Sequence, residues 1–288
     1  LFVGPIIVLG LIALALAPGG AAFLPNGIAI AVVYILYGFV FLFLTLAVSA
    51  VSDSARTTLV VMVAFWAVSS VALPKAASDI ARLTTQTPPA TEFQKAIASD
   101  MENGIGEKPV SQLIDERRQA TLRLYKVDAV EKLPINFQGI VLNLQEQMGN
   151  LVFDKHFGKL FEAMAKQLGT IQGFSTVSPR LAVQMASMEL AGTSLAQHEQ
   201  FVEQAEAFRR GMIDTMNQSM TVNSTGANPE YRAGPELWTK VGTFRFQNEA
   251  FASTLARLGP SFVVMLLWLA GSVVAAVLAV RRLKVMVS

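Results

Sequence analysis

The stretch Ile28-Ala-Ile-Ala-Val-Val-Tyr-Ile-Leu-Tyr-Gly-Phe-Val-Phe-Leu-Phe-Leu-Thr-Leu-Ala-Val-Ser-Ala50 decides the fold. It is 23 residues long and carries no charge, and roughly 20 such residues suffice for a helix to cross the hydrocarbon of a bilayer. Working outward, Pro260 to Val280 repeats the pattern over 21 residues, Thr58 to Leu73 over 16, and Leu1 to Ala17 over 17. The third run is short, with Ser52 to Thr57 and Pro74 placed to lie among headgroups. The first has no initiator methionine and no basic region before it, so it reads as a span cut at its start in a piece of a longer protein.

Charge follows the same division. Of 44 charged residues among 288, residues 1 to 74 hold only Asp53 and Arg56, and the last 30 hold only Arg281, Arg282 and Lys284. The other 39 lie between 75 and 258. Lipid is the expected solvent at both ends and water in the middle. The middle block is nearly balanced, 19 basic against 20 acidic residues, which excludes the basic stripe of a nucleic-acid surface. There is no cysteine, hence no disulfide framework, thiolate metal site or cysteine nucleophile.

Basic residues near helix ends set orientation. Arg56 in the second loop and the three basic residues of the tail fall on one side; the uncharged loop Pro18 to Gly27 and the middle block fall on the other. The predicted fold is an all-α integral membrane protein with four visible spans, about 1–17, 28–50, 58–74 and 259–280, and a helical external domain over 75–258. The tail after the last span is basic and cytoplasmic. None of these runs contains Asp, Glu, Lys, Arg or His, the residues that build ion and proton paths in membranes, so coupling to an ion gradient is disfavoured. No phosphate-binding Gly-Lys-Ser/Thr motif occurs.

Within the block, apolar residues recur at helical spacing from Ile140 to Leu168 and from Leu181 to Met216. Two long antiparallel helices are predicted, with Ser178 capping the second and Pro179 in its first turn. Shorter helices are expected at 91–101, 111–125 and 246–258, with breaks at Asn103-Gly104, Gly106 and Pro109 and a loop over 221–235 containing Gly226 and Pro229. His156 and His198 have no partner carboxylate at ligand spacing and read as satisfied histidines. Eight of the eleven methionines lie between Met101 and Met220; core packing explains them better than soft-metal binding. No catalytic, cofactor or metal residue is expected.

Tyr34, Gly38, Phe41, Thr45 and Ser49 form one helical face with small and polar members, and Trp66, Ser69 and Ser70 another. Each suits either helix packing or the lining of a translocation path, for which Tyr34, Thr45, Ser49, Trp66 and Ser69 are the candidates.

Local words carry a resemblance. Phe41-Leu-Phe-Leu-Thr-Leu-Ala-Val-Ser-Ala, Ser54-Ala-Arg56-Thr-Thr, Phe65-Trp66, Leu73-Pro74-Lys75-Ala-Ala and Pro88-Pro89 resemble an ABC-2 type permease subgroup with an enlarged periplasmic insert of unknown function. Ser178-Pro179, Ala186-Ser-Met188-Glu-Leu-Ala-Gly192-Thr193, His198, Phe201 and Ala207-Phe-Arg209-Arg210 resemble that insert, and Trp238, Phe244 and Phe246 fit ahead of the last span. The resemblance implies spans three to six of six, in a bacterial inner membrane with residues 75–258 in the periplasm. It also implies a dimer with a second copy or paralogue and cytoplasmic ABC ATPase subunits holding ATP and Mg. The function expected on that basis is export of an unidentified substrate, with the external domain gating it or handing it on to a periplasmic partner. Asp53 and Arg56, the charged residues of the cytoplasmic loop, become candidate ATPase contacts; topology control by Arg56 is the simpler account. The competing reading is a membrane-anchored sensor or scaffold with a ligand- or partner-binding external domain.

Overall fold

A computed structural model of the protein describes residues 3–17, 20–105, 108–225 and 231–286. Leu1, Pro18, Gly106, Gly226 and Pro229 lie outside them. Among the described residues every regular element is helical. The helices are α1 (Val3–Leu16), α2 (Leu24–Val51), α3 (Ala55–Ala67), α4 (Leu73–Thr84), α5 (Ala90–Asn103) and α6 (Val110–Tyr125), then α7 (Phe137–Gly173), α8 (Pro179–Leu190), α9 (Leu195–Asn223), α10 (Pro235–Val241) and α11 (Phe251–Met286).

Among the described residues three helical stretches are long and apolar enough to cross a membrane: Leu24–Val51, Ala55–Thr84 and Phe251–Arg282. Apolar side chains such as Val32, Ile35, Phe39, Leu266 and Leu267 stand exposed on them, which suits lipid as their solvent and would be costly in water. The chain is a helical protein with the features of a membrane protein. Helix α1 has 14 residues, about 21 Å at 1.5 Å per residue, which is less than a bilayer's hydrocarbon.

Two expected boundaries move. The third apolar run does not stop at Pro74: α3 passes through a π turn at Val68–Ala72 into α4. Pro74 has no N–H and would break a regular ladder; the wider turn, in which the Leu73 amide reaches back to the Val68 carbonyl, absorbs the mismatch. Likewise, the helix expected at 246–258 is continuous with the last apolar run in α11, with Pro260 inside it.

The chain divides into two compact units. The first contains residues 1–86, 164–198 and 248–288; the second contains 87–163 and 199–247. The division falls within α7 and α9.

In the first unit, α2 and α11 pack side by side and α8 packs against both. Val33 and Val40 of α2, Ala182, Val183, Ala186 and Leu190 of α8, and Leu258 and Met265 of α11 form one buried cluster. Alanines on α8 let the three backbones approach closely, as small residues do in membrane helix packing.

In the second unit, α7 and α9 run antiparallel. Asn143 donates to Asp214 at 3.0 Å, Arg209 to Glu146 at 2.9 Å and Asn150 at 2.6 Å, and Arg210 to Asp154 at 3.0 Å. At one end a Cβ on Gly139 would lie 2.2 Å from Thr221 Oγ1 and 2.8 Å from the Asn217 carbonyl, so only glycine allows that approach. Helix α5 is tied to α7 through Asp100, which accepts from Lys155 and shares a 2.6 Å contact with His156 Nε2.

The second predicted long helix, Leu181 to Met216, is in fact two. After Leu190 the chain turns at Gly192, whose φ of +75° is the left-handed region that favours glycine. The Thr193 amide closes the turn on the Met188 carbonyl at 3.0 Å. A helical pattern continuing on both sides conceals such a break.

Candidate functional site

The break sets α8 free to be a separate element, and its position is the most informative feature of the molecule. The last turns of α7, a short 3-10 turn at Phe174–Thr176 and α8 make a helical hairpin. Ser178 caps α8: its hydroxyl accepts from the Leu181 amide at 3.3 Å, and Pro179 takes the first turn.

The two ends of α8 have different surroundings. At its C-terminal end Glu189 accepts from Arg257 at 2.9 Å, and the Leu190 carbonyl accepts from Asn26 Nδ2 at 2.9 Å. Both partners stand just before the apolar runs that start at Ile28 and Pro260. At its N-terminal end the Ser178 hydroxyl donates to the Ser69 carbonyl at 2.8 Å and lies 3.3 Å from Ser69 Oγ. The Thr176 carbonyl accepts from Trp268 Nε1 at 3.1 Å. Trp268 is eight residues beyond Pro260, about 12 Å along the helix. The hairpin tip therefore sits well inside the apolar length of α11, and α8 climbs from there to its charged border.

At the tip the Ser178 hydroxyl and the Ser69 carbonyl satisfy one another. Ser69, Ser175 and Ser178 are all buried, and an unmet hydroxyl or carbonyl there would cost about 1–3 kcal/mol. Beyond the tip, Trp268 faces Phe65, Phe65 faces Phe41 and Phe41 faces Tyr37, with ring centroids 6.1, 5.7 and 4.9 Å apart. Arg180, one residue past the proline, donates to Gln184 at 3.2 Å and lies within electrostatic reach of Tyr37. A segment read as external thus carries an arginine on a helix that packs against α2.

Of the path candidates, Ser69 is at this tip. Tyr34, Thr45, Ser49 and Trp66 stand on exposed faces, the Thr45 hydroxyl bonding back to the Phe41 carbonyl at 2.7 Å. Asp53 is exposed in the turn between α2 and α3 and Arg56 in the first turn of α3, where Ser54 caps the helix through the Thr57 amide. Sequence reasoning missed Thr176, Arg180 and Trp268 as members of one site, and Ser178 entered only as a cap.

In the second unit, Glu206 lies between Arg209 and Arg210, which hold its carboxyl below the ordinary range, Arg209 contributing most. Lys155 and then His156 do the same to Asp100. Among the described residues no three His, Asp or Glu side chains converge as metal ligands. Met148 and Met265 are buried apolar side chains, and the Met148 sulfur accepts from the Ile105 amide at 3.4 Å.

Residues 90–247 match a family model described as a domain of unknown function, DUF3526. The chain belongs to the DUF3526 family. Searches of curated proteins and of solved structures found no significant match. The DUF3526 region begins with α5 and ends after α10, so it contains the α7–α8 hairpin and excludes the three long apolar stretches. The DUF3526 segment thus supplies α8 to a cluster whose other members, on α2 and α11, lie outside the match.

Proposed function

We propose that the chain is the membrane-spanning permease subunit of an ATP-driven ABC-2 type transporter. It works as a dimer with a second copy or a paralogue, exporting an unidentified substrate. Residues 75–258 form the periplasmic block, and its hairpin of α7 and α8 closes the outer end of the path. The observation that carries this reading is the seat of the hairpin tip, where a segment of a mostly hydrophilic block hydrogen-bonds Ser69 and Trp268 within the apolar runs. A sensor or scaffold has no need of such an insertion, whereas a closure that can be withdrawn has. The resemblance of the apolar runs and their flanking words to ABC-2 permeases supports the same conclusion.

In this mechanism the chain catalyses nothing. ATP and Mg are bound by cytoplasmic ABC ATPase subunits, which bind two conformations of the permease with different affinity and so shift it between them. Asp53 and Arg56 are proposed to touch those subunits.

Purification of the full-length protein in a gentle detergent, with mass spectrometry of what remains bound, tests the reading. The expected result is co-purification of an ATPase and vanadate-sensitive ATP hydrolysis. Isolation of the chain with no nucleotide-binding partner across several detergents would overturn the transporter proposal in favour of a sensor or scaffold.

A further inference from the structure

Between α7 and α9, wholly within the second unit, runs a groove of about 370 Å³. That volume suits a small ligand. One wall is aromatic: Phe153, Phe157 and Phe161 recur every fourth residue along α7, and the rings of Phe153 and Phe157 stack at 4.3 Å. Gly158 opens the space further. A Cβ built there meets no atom within 4 Å, so glycine sits mid-helix where alanine would fit, although glycine costs about 1 kcal/mol relative to alanine at such positions.

The rim is acidic. Asp154, Glu199, Glu203 and Glu206 line the groove against a single base, Arg210. Arg210 is already engaged by Asp154 and Glu206, each at 3.0 Å, and Glu206 is held by Arg209 as well at 2.8 Å. Glu199 and Glu203 have neither an ion pair nor a hydrogen bond recorded among the described residues. They stand one helical turn apart, where like charges repel, and nothing in the groove compensates them. The aromatic wall is electrostatically suited to a cation: the Arg210 guanidinium carbon lies 5.9 Å from the Phe153 ring centroid, within the range of a cation–π contact.

We infer that this groove binds a small organic cation, an amine or quaternary ammonium on a compact apolar or aromatic body. The charged head would sit between Glu199 and Glu203, with the body against Phe157. A bare metal ion fits poorly, since the same residues offer no converging set of three ligands. The binding is read at equilibrium without ATP, so it stands or falls apart from the transport proposal.

The test uses the full chain in phosphatidylcholine nanodiscs, which carry no net charge to attract the probe. Equilibrium dialysis would measure binding of benzyltrimethylammonium and of neopentylbenzene, its uncharged isostere. Expected are saturable binding of the cation at one site per chain and at least tenfold weaker binding of the neutral compound. At least a tenfold loss is expected in the Glu199→Gln/Glu203→Gln double variant. Those two changes relieve a repulsion and leave the fold intact, which circular dichroism checks. Gly158→Met, which fills the groove while favouring helix, is expected to abolish binding without lowering the melting temperature. The inference is overturned if the folded protein shows no saturable uptake at millimolar probe. Equal binding by the double variant, or equal binding of the neutral isostere, would overturn it too.

Discussion

Shortening Leu190 to alanine is expected to lower the stability of the first unit by about 2–5 kcal/mol, the range for truncating a buried leucine. Leu190 is 2% exposed and packs with Val33, Leu258 and Met265, so its removal leaves a cavity where α8 meets both α2 and α11. The hydrogen bond from Asn26 goes to the Leu190 backbone carbonyl and survives the change, isolating the packing contribution. Val263→Ala is the control: Val263 is on α11 but 55% exposed, and such substitutions usually fall within about 0.5 kcal/mol. Unfolding in a detergent titration should shift for Leu190→Ala and hardly at all for Val263→Ala. Equal shifts would mean that α8 is not packed where the structure has it.

Ser178→Ala should come next in size, at about 1–3 kcal/mol, the penalty for leaving a buried polar group unmet together with the loss of a helix cap. The hydroxyl serves both purposes at once, donating to the Ser69 carbonyl and accepting from the Leu181 amide, and the residue is fully buried. Ser69→Ala should cost less, below about 1 kcal/mol, because the Ser69 carbonyl still receives the 2.8 Å bond and only the 3.3 Å hydroxyl contact disappears. The ordering of the two variants in the same titration is the decisive readout. If Ser69→Ala proved the more damaging, the tip would be held by the Ser69 side chain and not by its backbone.

The parts of this architecture that were legible in the sequence are those set by length and period. Residues 28–50 and 260–280 are apolar for longer than any soluble helix needs, and α2 and α11 follow from that alone. In α7 and α9 apolar residues recur at helical spacing among charged ones, so their period could be read, although Leu151, Met164 and Met216 of the expected stripes stand exposed. Helix α2 offers no such contrast. Lipid and protein both present apolar surfaces to it, so the face with Val33, Tyr37 and Val40 turned inward looks no different in sequence from the face that carries Tyr34, Thr45 and Ser49.

The hairpin was hidden for a related reason. Helix α8 has 12 residues and carries Arg180 and Glu189, so no hydropathy window marks it. Its partners are far away in the chain: Ser69 and Ser178 are separated by 109 residues, and Thr176 and Trp268 by 92. The available signals were the Ser178-Pro179 start, the Gly192 break and a lone Trp in the last span. Each has a local explanation, and only tertiary packing joins them. Pro74 misled in the opposite sense, since proline usually ends a helix and here a π turn carries the helix past it.

The central claim, that the hairpin tip lies within the hydrocarbon, is tested most directly by cysteine labelling, for which the cysteine-free chain needs no background removed. Val177 is at the tip and 52% exposed on the protein itself, so this chain's own packing does not shield it. Val222, on α9 and 64% exposed, provides the reference. In membranes, Val177→Cys should react with a membrane-impermeant maleimide at least tenfold more slowly than Val222→Cys, since a thiol in hydrocarbon forms little thiolate. Detergent denaturation should abolish the difference. Equal labelling in intact membranes would place the tip in water and contradict the account of a hairpin closing the path from within the bilayer.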